Sequence, residues 1–303
     1  MKKALFQMHL AVVLWGFTGV LGKEITLGAP MQVWYRMLLT ALFMAAFVQF
    51  RKEWVPIPKK DKWRLAYIGC LMALHWVAFF GAIKLANVSI ALVCMSTAGI
   101  FTSLFDPFVN DTKHNVPELL IGLLGIVGVY LIYQFQQMYA LGVLSGLTAA
   151  ILAAWFTVLN KKITSKYPSR TLVFYEMGTG WILLNILIPI YILYSHEPVQ
   201  LLPQNWDWLW LIILSLCCTV WAQYLALNAL KHISSFTSSL SVNLEPVYGI
   251  LLAFAIYHEY EMLHKWFYLG MALILFSVVL QMLRVLRPDK KPTSYIKEKA
   301  GID

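Results

Sequence analysis

Charge is scarce in this chain: Asp, Glu, Lys and Arg make up 13% of 303 residues, 60% are hydrophobic, and the mean hydropathy is +0.67. Soluble domains carry about 25% charged residues, so a soluble globular fold is excluded and a polytopic membrane protein is left. Cysteine is scarcer still. Cys70, Cys94, Cys217 and Cys218 all fall inside apolar runs, at spacings that suit neither zinc nor a secreted disulfide framework, and read as small buried residues. Catalytic signatures are missing too: there is no Walker A loop and no G-x-S-x-G elbow, and His258-Glu259-Tyr260-Glu261-Met262 fails HExxH at its last position. No cofactor, no metal and no enzymatic activity is therefore expected. The formal charge of +9 does not indicate nucleic acid, because the basic residues sit in short clusters between apolar runs, the pattern of membrane topology.

What the chain has in abundance is apolar length. Polar breaks divide it into ten candidate spans of roughly 20 to 25 residues, enough to cross about 30 Å of hydrocarbon as helix. They begin near Ala4, Pro30, Arg64, Val88, Val116, Tyr139, Pro168, Asn205, Ser234 and Lys265. The first is longer than a signal-peptide core and lacks an A-x-A cleavage site, so it reads as a retained span. With a cytoplasmic N-terminus, 20 of the 24 Lys and Arg fall inside, Lys23, Lys84 and Lys265 outside, and Arg36 within a span. That bias predicts a cell-membrane protein with both termini cytoplasmic: Lys2, Lys60, Lys166 and Lys297 inside, Lys84, Glu197 and Glu261 outside. The polar tail 288–303 is expected to be cytoplasmic and to rest on anionic lipid. Trp54 and Trp63 near the inner interface, and Trp34, Trp206, Trp208 and Trp266 near the outer one, fit aromatic belts. Trp15, Trp76, Trp155, Trp181 and Trp221 lie too deep for headgroups, so each indole N–H needs a partner or a wet cavity.

The stretch from Ser234 to Glu259 is of membrane length and carries one central carboxylate, Glu245, directly before Pro246. On a continuous helix Ser234, Ser238, Ser241, Glu245 and Tyr248 follow each other by steps of four and three, forming one polar stripe. A charged side chain at that depth costs roughly 2.5 to 3.5 kcal/mol on insertion scales, so it belongs beside a cavity or a partner. Pro246 has no N–H for the carbonyl of Val242, which adds a bare acceptor at the same place. A helix kink satisfied by neighbouring Ser and Thr is the plainer alternative.

The two halves resemble each other. An offset of 140 matches Trp15 with Trp155, Val33 with Val173 and Tyr35 with Tyr175. An offset of 145 matches Trp76 with Trp221, Leu85 with Leu230, Ser89 with Ser234 and Ser96 with Ser241, and 148 matches Gly122 with Gly270. Five spans per half would set the second copy upside down in the membrane, a recurrent transporter plan with its site at the repeat interface. The fold class predicted is all-α integral membrane, ten transmembrane helices as two inverted five-helix repeats, 1–136 and 137–287. Together with Asn243-Leu244-Glu245-Pro246, the first-span tryptophans and His258-Glu259, this resembles the drug/metabolite transporter superfamily, EamA type, from about Ala4 to Leu286. The resemblance implies a permease for small metabolites, amino acids among them. The chain departs from it at Phe101, which stands where the first half should match Pro246.

Arg36 is expected about 9 Å below the outer end of the second span, Glu176 a similar distance above the inner end of the seventh, and Glu245 between them. The candidate substrate-binding set is Trp15, Tyr35, Arg36, His75, Trp76, Trp155, Tyr175, Trp221, Tyr224, Ser241, Asn243, Glu245 and Tyr248. His75 reads either as a proton carrier near neutral pH or as a hydrogen-bonded packing residue. Arg36 reads as an anion holder or as a structural or snorkelling cation. Asp106 and Asp111 read as solvated surface, and the glycines Gly16, Gly19, Gly22, Gly122, Gly125, Gly128, Gly142 and Gly146 as helix packing. The expected partners are a small-molecule substrate, membrane lipid and protons as coupling ion. A secondary transporter exporting amino acids or similar amphipathic metabolites is the leading reading, with a polytopic membrane enzyme or a non-transporting receptor or scaffold as the alternative.

Overall fold

A computed structural model describes residues 2–286 except 53, 111–115, 136, 196–197, 234 and 243. The described residues are almost entirely helical: α1 (Lys2–Gly16), α2 (Thr18–Glu24), α3 (Ala29–Arg51), α4 (Lys59–Leu85), α5 (Val88–Met95), α6 (Ala98–Asn110) and α7 (Val116–Phe135) form the first half. The second comprises α8 (Ala140–Thr164), α9 (Ser169–Tyr194), α10 (Asp207–Ser215), α11 (Ala222–Leu230), α12 (Ser235–Val242), α13 (Glu245–Tyr257) and α14 (Lys265–Leu286). A π turn, Leu216–Trp221, joins α10 to α11. Among these residues seven helical segments are long and apolar enough to cross a membrane, and Leu120–Ile132, Glu245–Tyr257 and Lys265–Ser277 are shorter apolar helices. Large apolar side chains such as Phe6, Phe50, Leu193 and Leu202 point outward, as a surface solvated by lipid allows. Pro30 sits in the first turn of α3, where its missing N–H costs nothing.

The halves interlock rather than sit side by side. The first helices of each half pack across it, α1 on α11 and α8 on α4, and the second and last helices pair on each other, α3 on α9 and α7 on α14. Two aspartates make the same exchange at opposite ends. Asp207, at the start of α10, accepts from the Thr26 backbone N–H at 2.8 Å and from its hydroxyl at 2.7 Å. Asp61, near the start of α4, accepts from the Tyr167 hydroxyl at 2.7 Å and pairs with Lys166 at 3.4 Å. Each half thus holds the first hairpin of the other, and an offset of 140 carries Thr26 to Lys166.

At the α7–α14 crossing, a Cβ on Gly128 would stand 2.6 Å from the Gly270 carbonyl, and one on Gly270 would stand 2.5 Å from the Gly128 carbonyl. Ile274 closes one side of that contact and Ile132 the other. The contact is reciprocal between Gly128 and Gly270, while Gly122 packs against Ile100 of α6. Gly270→Leu is expected to force the helices apart and destabilise the protein by about 1–3 kcal/mol, read as a lowered thermal midpoint in detergent. An unchanged midpoint would show that the crossing is not close-packed.

The polar stripe expected on one continuous helix does not survive. The helix breaks between Val242 and Glu245, as the missing N–H of Pro246 allows; Ser234 and Asn243 lie outside the described residues. The first half breaks correspondingly between α5 and α6 although it has no proline there. Ser96 and Thr97 supply the cause: their hydroxyls donate to the carbonyls of Val93 (2.6 Å) and Cys94 (2.7 Å), competing with the helical ladder. Phe101 in place of a proline therefore does not remove the break from the first half.

Candidate functional site

Between the halves lies a cavity of about 100 Å³, room for several waters at roughly 10–15 Å³ each. Its wall is aromatic and aliphatic, with Trp15, Trp76, Phe79 and Phe156, and its polar groups are Thr18, Arg36, His75, Thr157, Asn160, Gln223, Ser238 and Glu245. Arg36 is the largest fully buried side chain among the described residues. Its guanidinium lies 3.9 Å from the centroid of the Trp76 ring, a cation–π contact worth about 2 kcal/mol when desolvated. Nε donates to the Thr219 hydroxyl at 2.7 Å and Nη2 to the Cys218 carbonyl at 3.3 Å.

Both acceptors belong to the π turn. A turn closing i to i+5 leaves one residue out of the regular ladder and is a common feature of functional sites. Here the Thr219 hydroxyl donates back five residues to the Leu214 carbonyl at 2.9 Å, so its oxygen is fixed to receive Arg36. One edge of the guanidinium is thereby anchored, while Nη1 is buried and has no hydrogen-bond partner. An oriented cation with one free donor is suited to a planar anion such as a carboxylate.

Glu245, the first residue of α13, is buried and within electrostatic reach of Arg36. The helix break lets it face the cavity while the rest of α13 packs on α5 and α1. His75 lines the same space with Nδ1 at 2.8 Å from the Ala149 carbonyl. A carbonyl only accepts, so Nδ1 carries a proton, and the ring packs against Phe79 and Phe156.

One end of the bundle above the cavity is tied shut. Glu259 bonds Lys23 at 2.8 Å and accepts from the Ser89 backbone N–H at 3.0 Å and its hydroxyl at 2.7 Å, satisfying the open N-terminus of α5. Lys84 donates to the Ile25 carbonyl at 2.6 Å, and Tyr257 to Glu24 at 2.6 Å. At the other end Lys161 reaches the carbonyls of Leu230 (2.7 Å) and Ile233. Leu230 and Ser238 also line the cavity, so it extends toward that end.

Of the residues singled out from sequence, Trp15, Arg36, His75, Trp76 and Glu245 converge on the cavity. Apart from Asn243, which lies outside the described residues, the others do not line it. Tyr35 packs between Trp34 and Trp208 and donates to the Leu201 carbonyl at 3.1 Å. Trp155 donates to the Tyr67 hydroxyl at 3.1 Å, and Tyr175 stacks edge-on against Phe174. Trp221 is 51% exposed and faces outward, not a wet interior. Tyr224 lies under Arg170 and lines a separate cavity with Lys3, Gln7 and His232. Ser241 bonds back to the Thr237 carbonyl at 2.9 Å, and Tyr248 meets His9 at 3.2 Å. Asn160 and Gln223 were not singled out, although amides buried inside apolar runs give the same kind of signal as Glu245.

A membrane-length helical bundle whose halves enclose an aromatic cavity bearing opposite charges is the architecture of a membrane carrier. The EamA-like transporter family model matches residues 2–134 and 140–283, and the chain belongs to that family. It is a multi-pass membrane protein. Two proteins of Archaeoglobus fulgidus, each described as an uncharacterized transporter, are similar to it. One is 27% identical over 235 residues, 74% of this chain and 78% of its own. The other is 22% identical over 271 residues, 89% of this chain and 93% of its own. A solved crystal structure shares the fold with a TM-score of 0.68 at 17% identity, over 94% of this chain and 99% of that one.

Proposed function

We infer that the protein is a secondary transporter that moves small amphipathic metabolites, amino acids or similar compounds, by alternating access. The observation that carries this reading is the pairing, in one aromatic cavity, of Arg36 with a free Nη1 and Glu245. A zwitterion's carboxylate meets the first and its ammonium group the second, while Trp15, Trp76, Phe79 and Phe156 take the apolar part. Glu245 changes its charge state during the cycle, exchanging a proton for the cationic end of the substrate. The remaining described residues of the set, Tyr35, Trp155, Tyr175, Trp221, Tyr224, Ser241 and Tyr248, are in this reading supports of the helices and not contacts to substrate.

Seven long spans and three shorter ones make ten, in two five-helix halves, 1–136 and 137–287, inserted with opposite orientation. The matching exchanges of Asp61 with Asp207 and Gly128 with Gly270 support that symmetry. The Lys and Arg bias puts both termini in the cytoplasm of the cell membrane, so the tied end at Lys23 and Glu259 is external and the cavity is loaded from inside. Loading from inside suits export. Single cysteines at Lys60 and Lys166 should resist an impermeant thiol reagent on whole cells, whereas cysteines at Lys84 and Glu261 should react. Labelling at 60 or 166 from outside would reject the topology. Function is tested by reconstitution: in liposomes the protein should move a labelled metabolite unaltered, and a panel of metabolites with no flux above empty vesicles would reject the transporter reading.

A further inference from the structure

We propose that Glu176 of α9, reached through Asn160 of α8, is a proton-binding site separate from the pocket of Arg36 and Glu245. Its role in coupling rests on the transporter reading; its existence does not. Glu176 is 0% exposed, and neither carboxylate oxygen has a hydrogen-bond partner. The packing around it is tight, since a Cβ on Gly69 would stand 2.2 Å from the Glu176 carbonyl. No counter-charge is in place among the described residues. Arg36 of α3 is spent on the π turn, His75 of α4 on Ala149, and Lys161 of α8 on Leu230 and Ile233. Asp61 of α4 is held by Tyr167 and Lys166, Arg170 of α9 lies over Tyr224, and α11 carries no charged residue.

An ionised carboxylate with neither counter-charge nor hydrogen bond costs several kcal/mol even after relaxation. The group in this conformation is therefore the neutral acid. A leucine would fill nearly the same volume and leave no polar group unpaired, so the acid serves a state other than this one. The way to that state is Asn160, which is 2% exposed, lines the cavity and keeps its Oδ1 buried and unpaired. Its amide approaches Glu176 without closing a hydrogen bond on either oxygen.

When the inner ends part and cavity water reaches Asn160, the Glu176 O–H bond breaks. The proton passes to water, the electron pair stays on the carboxylate, and the Asn160 amide N–H groups turn to it. Reclosing the site demands the proton back, which ties one proton to each cycle. Arg36 and Glu176 are both the eighth residue of the second long helix of their half. The repeat thus offers one position twice: the first half uses it for a fixed cation, the second for a removable proton.

The test needs no substrate. Infrared difference spectra of the protein in lipid, taken across a pH titration, should show the C=O stretch of an acid shielded from hydrogen bonding. Glu176→Gln should delete that band, and Glu245→Gln should leave it. Asn160→Leu should keep the band but slow its exchange with deuterium. A spectrum unchanged in Glu176→Gln overturns the proposal, as does a band that responds to sodium and not to pH. Should Glu176→Gln fail to fold, wild-type protein carrying labelled glutamate must still show the acid band and Asn160→Leu must still alter its exchange; absence of either rejects the site. Loss of this band leaves the flux assay to judge the transporter reading by itself.

Discussion

Arg36→Lys should weaken transport of carboxylate substrates about 30-fold, although it keeps the charge. The guanidinium is held on one edge by Thr219 and Cys218 and lies over the Trp76 ring. Lysine offers a point charge with no fixed plane, so it cannot keep both anchors and still present a donor to the ligand. Loss of one charged hydrogen bond is worth about 2 kcal/mol, which is that factor. Because the anchors come from the π turn, Thr219→Val should reproduce part of the loss without touching the substrate. Concentration dependence of initial flux in liposomes separates the cases, since the lysine variant should fail mainly through weaker binding. Equal flux of carboxylate substrates by Arg36→Lys and the parent would refute recognition by a planar fork.

Glu245→Gln should abolish net flux driven by a pH gradient while sparing exchange of labelled for unlabelled substrate. The substitution fixes the neutral form at nearly unchanged size. A cycle in which this carboxylate alternates between a proton and an ammonium group stops when the proton cannot leave. Exchange does not require that release. The measurement is paired: net efflux from loaded vesicles under a pH gradient, and counterflow at equal pH. A well-folded Glu245→Gln that retains the parent's net flux and its pH dependence would make the carboxylate structural, a partner for Arg36 and nothing more.

The sequence determined the class of this protein and the residues that matter most. Long apolar runs with few charges leave helices as the economical way to satisfy the backbone in lipid, and Glu245 and Arg36 stand out because an ionisable group in such a run has no cheap reason to be there. Both face the cavity. The internal repeat was legible as well, and the family match falls on two successive segments, 2–134 and 140–283. Periodicity along one helix also misled: the stripe through Ser241 and Tyr248 assumes an unbroken helix, whereas α12 ends at Val242 and α13 begins at Glu245, and the two side chains meet Thr237 and His9. Aromatic depth misled for a similar reason. Trp76 and Trp221 occupy matched positions in sequence, yet one lies under Arg36 and the other faces outward. Which face of a span looks inward depends on what it packs against, and those neighbours come from the other half of the chain. Only the tertiary structure decided that the π turn of the second half orients Arg36 of the first, and that Glu176 is sealed without a partner. Both facts arise from contacts more than 100 residues apart, which local spacing does not encode.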